Sequence, residues 1–184
     1  MNSNPKHKTF SEYNLNSKPL DGQLYYVIIH KILKYKPIDN CIIAFSFTPE
    51  NVSKLIEHKV PPVKKRIDTM KKLAENGWKI GLRFDPIIPA CNFAKIYENL
   101  FKNIASNISE ESIHSISFGM MRFPKKMFKK MTKENPNKKI NSLNFENRNG
   151  IYSYRKDMKK KLENIIVKKL KKYMNNIPIY NCKV

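Results

Sequence analysis

Apolar residues in this chain fall into two patterns, short continuous runs and longer stretches with a helical stripe. Cys41 to Phe47 is a continuous apolar run of strand length, the pattern of a parallel strand buried on both faces. It gives way to Thr48-Pro49-Glu50, which predicts a helix start with a hydroxyl at the cap, proline at the first position and an acid in the first turn. Val63 to Asn76 is basic and amphipathic, and Gly77 predicts a left-handed stop. Lys79 to Pro86 reads as the next strand. Phe93, Ile96, Tyr97, Leu100, Phe101 and Ile104 then mark one face of a helix. Ile113 to Phe118 is a further strand, and Pro124 opens a short lysine-rich helix. Ser142 to Tyr154 predicts a hairpin turning at Asn149-Gly150. Met158, Leu162, Ile165, Ile166, Leu170 and Tyr173 form the core face of a last helix, with Lys160, Lys168 and Lys171 opposite; Ile177 to Tyr180 closes the pattern as a strand.

Strand and helix alternate, so the expected class is α/β: a parallel sheet, curved or barrel-like, with right-handed crossovers. Residues 1–20 are polar and read as a flexible lead-in, Leu24 to Leu33 as a helix, and residues 21–184 as one domain. No run approaches the 18 or more apolar residues of a membrane span. No apolar leader opens the sequence, so the cytoplasm is the expected compartment.

Charge changes the picture only in part. Thirty-six basic residues against fifteen acidic give a formal charge of +21, which favours polyanions. Of the 36, however, 31 are Lys and five are Arg, and Asn occurs 21 times, as a compositional drift towards AT-rich codons would produce without any ligand. Arginine placement is therefore the sharper signal. Arg83, Arg122, Arg148 and Arg155 lie in strand-end and hairpin blocks, and Arg66 lies in the helical stretch between the first two of these strands. Cys41, Cys91 and Cys182 are too widely spaced for a redox pair or a local metal clip, and the four scattered histidines predict no zinc site.

Ligands of α/β folds sit beyond the C-terminal strand ends, which picks out Ser46, Thr48, Asp85 and Arg122. Two readings stand for Thr48, a helix cap or a ligand contact, and two for Asp85, an Asx-type turn or a ligand contact. In the hairpin, Arg148 and Arg155 suit phosphate. Tyr152 and Tyr154 share a strand face and either stack on a base or belong to the core. Lys125, Lys126, Lys129 and Lys130 either add phosphate contacts or form a solvated helix face.

Four blocks, taken in order, carry a family resemblance: FSFTPENV (Phe45 to Val52), GWKIGLRFDPIIP (Gly77 to Pro89), SISFGMMRFP (Ser115 to Pro124) and RNGIYSYRKD (Arg148 to Asp157). Together they resemble the C-terminal portion of the spore photoproduct lyase-like radical S-adenosylmethionine (SAM) family. The resemblance implies a partial (β/α) barrel of the radical SAM type, containing its later βα units only, with a β-hairpin before the last helix. It implies SAM contacts at Ser46, Thr48, Asp85 and Ile87, and DNA contacts at Arg122, Arg148, Tyr152, Tyr154 and Arg155. The family also holds a [4Fe–4S] cluster on a CxxxCxxC loop, which this sequence does not contain. The expectation is thus a truncated or split member of the family, ancestrally concerned with DNA photoproduct repair and inactive alone. A separate chain would carry the cluster-binding half. The alternative is a non-enzymatic, basic nucleic-acid-binding module.

Overall fold

The computed structural model describes residues 29–57, 59–134, 143 and 145–182. The expected lead-in over residues 1–20 and the first half of the expected Leu24–Leu33 helix lie outside them; residues 29–32 are helical. In chain order the first elements are β1 (Ile42–Ser46), α1 (Glu50–Ile56), α2 (Val63–Glu75), β2 (Lys79–Ile87), α3 (Phe93–Ala105) and β3 (Ile113–Met120). They are followed by β4 (Arg122–Pro124), α4 (Lys125–Glu134), β5 (Phe145–Arg148), β6 (Ile151–Tyr154), α5 (Lys156–Tyr173) and β7 (Ile179–Asn181).

Strands β1-β2-β3-β7 form a parallel sheet in that order. One face buries Phe45, Ile80, Leu82, Phe84, Ile116 and Phe118. The helices supply the matching layer: Ile67, Met70 and Leu73 from α2, Tyr97, Phe101 and Ile104 from α3, and Leu162, Ile166 and Leu170 from α5. Each set repeats at three- or four-residue spacing, so the stripes legible in the sequence are the ones that pack. Gly77, at φ 86°, ends α2 as expected: Trp78 N–H donates to Leu73 O at 3.0 Å and Gly77 N–H to Ala74 O at 2.9 Å. This double closure satisfies the last carbonyls of the helix.

Two expectations need correction. The Cys41–Phe47 run is not buried on both faces, because Ile42, Ala44 and Ser46 are exposed while Phe45 is buried. β1 is an edge strand, and no described element covers that side of the sheet. The cap of α1 is also shifted by one residue: Pro49 holds the cap position and no side chain caps the helix.

A second, three-stranded antiparallel sheet, β4-β6-β5, stands at the C-terminal end of the first. The hairpin turns at Asn149 (φ 49°) and Gly150 (φ 83°), the two left-handed residues of a tight strand reversal. Its aromatic face packs on α4. Phe128 stacks on Tyr152 with centroids 4.1 Å apart and planes 8° from parallel, while Phe145 meets Phe123, Phe128 and Tyr154.

Candidate nucleic-acid interface and the adjoining sheet face

The opposite face of the hairpin sheet is polar. Register puts Arg122, Ser153 and Glu146 in one row and Ile151 beside Arg148 in the next. Ser153 Oγ fixes the sheet by donating to Met121 O at 2.8 Å. Below this face lies a pocket of about 230 Å³. Arg122, Arg148, Lys156 and Lys159 line it against one acid, Glu146. The acid is ion-paired to Arg148, leaving the pocket with net positive charge. Such a surface fits phosphate oxygens, which accept from several donors and carry no sequence information.

Arg122 reaches across to β2. Its Nη2 donates to Asp85 Oδ2 at 2.8 Å and its Nη1 to Asp85 Oδ1 at 3.3 Å, with a further 3.3 Å bond to Met120 O. The pair therefore joins the hairpin to the end of the parallel sheet. It joins a residue expected to contact SAM with one expected to contact DNA. The Asp85-Pro86 bond that follows is cis.

The remaining candidates separate. Ser46 lies on the uncovered face of the sheet, and its carbonyl accepts from Arg66 Nη1 at 2.9 Å. Thr48 is 5% exposed and faces a buried cluster in which Arg66 bonds Ser53 and Glu57. Burial alone would raise the Glu57 carboxyl; hydrogen bonds from Ser53 and Arg66, the Arg66 charge and the Thr48 hydroxyl turn its net shift downward.

Ile87 is fully buried on the core side, so it offers no surface to a cofactor. Tyr154 is 2% exposed and donates to Ile87 O at 3.1 Å, so of its two readings the core one holds. Burial pushes its phenol, and that of Tyr97, up. Tyr152 is half-buried, with one ring face covered by Phe128. Arg155 is exposed, pairs with Asp157 at 3.5 Å and does not line the pocket. Lys156 and Lys159 do line it, and the sequence did not single them out. One turn of helix brings these two lysines to the same side, but only the hairpin's position shows which side that is.

A [4Fe–4S] cluster needs thiolates that converge on one point. Cys41 precedes β1, at the N-terminal end of the parallel sheet; Cys91 follows β2 and Cys182 follows β7, at the other end. β1 alone is about 16 Å long, so the three sulfurs do not meet and do not fit a cluster. Among the described residues no group of three or more His, Cys, Asp or Glu is placed to hold a metal. No described helix is long and apolar enough to cross a membrane.

The family model described as "Spore photoproduct lyase" matches residues 19–181. A curated relative, the spore photoproduct lyase of Clostridium acetobutylicum, is 24% identical over 162 residues, which cover 84% of this chain and 48% of the relative. Among solved structures, a spore photoproduct lyase complexed with dinucleoside spore photoproduct superposes with a TM-score of 0.62 at 19% identity, covering 76% of this chain and 44% of that one. A variant of such a lyase with bound AdoMet and dinucleoside spore photoproduct also gives 0.62 at 19% identity, over 75% and 43% of the two chains. This chain therefore spans about half the length of the relatives it matches.

Proposed function

The chain belongs to the spore photoproduct lyase family, and from that premise we propose that these 184 residues supply the DNA-engaging part of a photoproduct-repair protein without radical chemistry of their own. One observation carries the reading. The hairpin's polar face and the first turn of α5 gather Arg122, Arg148, Lys156 and Lys159 around one pocket at the C-terminal edge of the sheet. Phosphate contacts there would set the strand's position, since cations clustered on one face neutralise phosphates and release counterions. Tyr152, with one ring face taken by Phe128, acts as a buttress for the hairpin rather than as a wedge.

For SAM, the exposed Ser46 and the half-buried Asp85 are the two expected contacts that remain at the uncovered sheet face. Cleavage of SAM to a radical needs an electron from a cluster, and the thiolates for one would have to come from outside these 184 residues. β1, an edge strand with no further strand beside it among the described residues, is where a second chain carrying them would join.

The test is anaerobic reconstitution with iron and sulfide, followed by incubation with SAM and dithionite and, separately, by duplex DNA binding. The expected result is no cluster absorbance, no 5′-deoxyadenosine and clear DNA binding. Stoichiometric iron with deoxyadenosine release, or absence of DNA binding at low salt, would overturn the proposal.

A further inference from the structure

We infer that the uncovered face of the parallel sheet carries an oxyanion site centred on Arg83, suited to the phosphate of a mononucleotide. The chain has five arginines. Arg66, Arg122, Arg148 and Arg155 close ion pairs with Glu57, Asp85, Glu146 and Asp157. Arg83 closes none among the described residues, although it stands exposed on β2, which has a hydrogen-bonded strand on either side. An unpaired guanidinium in the middle of a sheet face is a fork of donors with nothing to bind.

Register supplies its neighbours. Ser46 of β1 lies opposite Arg83 on one side and Ser117 of β3 on the other, and Tyr180 of β7 lies opposite Ser117. Registered partners point to the same face, so three hydroxyls and the guanidinium form one row across four strands, successive members about 4.8 Å apart. Towards the strand starts the next row is Ala44, Gly81 and Ser115, and Gly119 lies beyond Ser117, so small side chains leave the floor low on both sides. No acid lies in the row. The nearest on this face is Asp85, two residues along β2 and roughly 7 Å away.

Arg122 occupies one side of that carboxylate, which keeps lone pairs for further donors. A phosphate has enough acceptor oxygens to use the fork and adjacent hydroxyls together, and Asp85 is then placed for a sugar hydroxyl of the same nucleotide. Charge ranks this ligand above SAM: SAM offers one carboxylate beside a sulfonium and an ammonium and is a net cation, whereas a nucleotide phosphate is a dianion and draws the guanidinium more strongly. The inference does not depend on DNA binding by the hairpin.

Calorimetry on the full chain tests it, with adenosine 5′-monophosphate compared against adenosine and SAM. The expected result is that the monophosphate binds about tenfold or more tighter than either, the equivalent of about 1.4 kcal/mol. Arg83→Gln should erase that advantage while its melting curve and duplex-DNA affinity stay at wild-type values. Ser117→Ala should weaken the monophosphate several-fold. Equal or undetectable binding of monophosphate and adenosine, or wild-type monophosphate binding by Arg83→Gln, would overturn the inference. So would loss of duplex binding by Arg83→Gln, since the phosphate on the row would then be that of DNA.

Discussion

Asp85 and Arg122 lie 37 positions apart and hold each other through two hydrogen bonds, at 2.8 and 3.3 Å, over a residue that has no side chain. A Cβ on Gly119 would fall 2.7 Å from Arg122 Nη1 and 2.8 Å from Asp85 Oδ2. The glycine is therefore what lets the pair close. The pair in turn neutralises one of the cations that line the hairpin pocket. Both partners are about a third exposed or less, so the interaction is screened but not fully solvated.

Releasing Arg122 should strengthen DNA binding. Asp85→Asn removes the charge that holds the guanidinium, and one more cation becomes available to phosphate. The expected outcome is a several-fold gain in duplex affinity, with the salt slope steeper by about one counterion. Arg122→Ala should shift both quantities the other way. Fluorescence anisotropy across a salt series checks the two together, and a loss of affinity in Asp85→Asn would contradict the pairing argument.

Gly119→Ala should separate the pair without unfolding the chain. The crowding atoms belong to the Arg122 guanidinium and the Asp85 carboxyl group rather than to backbone, so a turn of those two side chains can relieve them. The expected cost is on the order of 1 kcal/mol, the range for a partly exposed charge-assisted contact. Urea denaturation measures it. Because the variant also frees Arg122, it should resemble Asp85→Asn in DNA affinity.

Tyr154→Phe tests whether that tyrosine belongs to the core. Removing the hydroxyl leaves Ile87 O without its side-chain donor in a buried setting. Stability should fall by about 1–2 kcal/mol in denaturant titrations. DNA affinity should not change, which it would if this ring met a base.

Glu98 joins α3 to α5 by accepting from Lys169, Lys172 and Tyr173. The Lys169 bond, then those from Lys172 and Tyr173, hold its carboxyl down at about 2, below the ordinary 4.5. A folded-state value below the unfolded one means that the stabilisation is present above pH 4.5 and is lost as pH falls from there towards 2. Glu98→Gln should remove this acid-dependent loss. Chemical denaturation midpoints for both proteins between pH 5 and 2 provide the check.

The parallel sheet and its helical cover were legible because the stripes in α2, α3 and α5 repeat at helix spacing and face one core. The hairpin was legible from Asn149-Gly150, a dipeptide that accepts two left-handed residues, set between two short strand-like runs. What was not legible depended on neighbours distant in sequence. The Cys41–Phe47 run looks doubly buried by composition, yet Ile42, Ala44 and Ser46 are exposed because no described element covers that face of the sheet. The three residues of β4 carry no periodicity and become a strand only by pairing with β6. The candidate site was legible in outline: strand-end reasoning found Asp85 and Arg122 but not that they bind each other. Arg83 was visible only as one arginine among five. Its row with Ser46, Ser117 and Tyr180 exists through register alone.

The most direct test of the hairpin's role is the salt dependence of duplex DNA binding in the double variant Arg148→Ala, Lys159→Ala, set beside Lys168→Ala, Lys171→Ala on the solvent side of α5. The account predicts that the first pair lowers the slope of log affinity against log salt by about two and weakens binding at least tenfold. The second pair should leave both near wild type. Equal effects of the two double variants would mean that binding follows net charge alone, and would contradict a built interface at the hairpin.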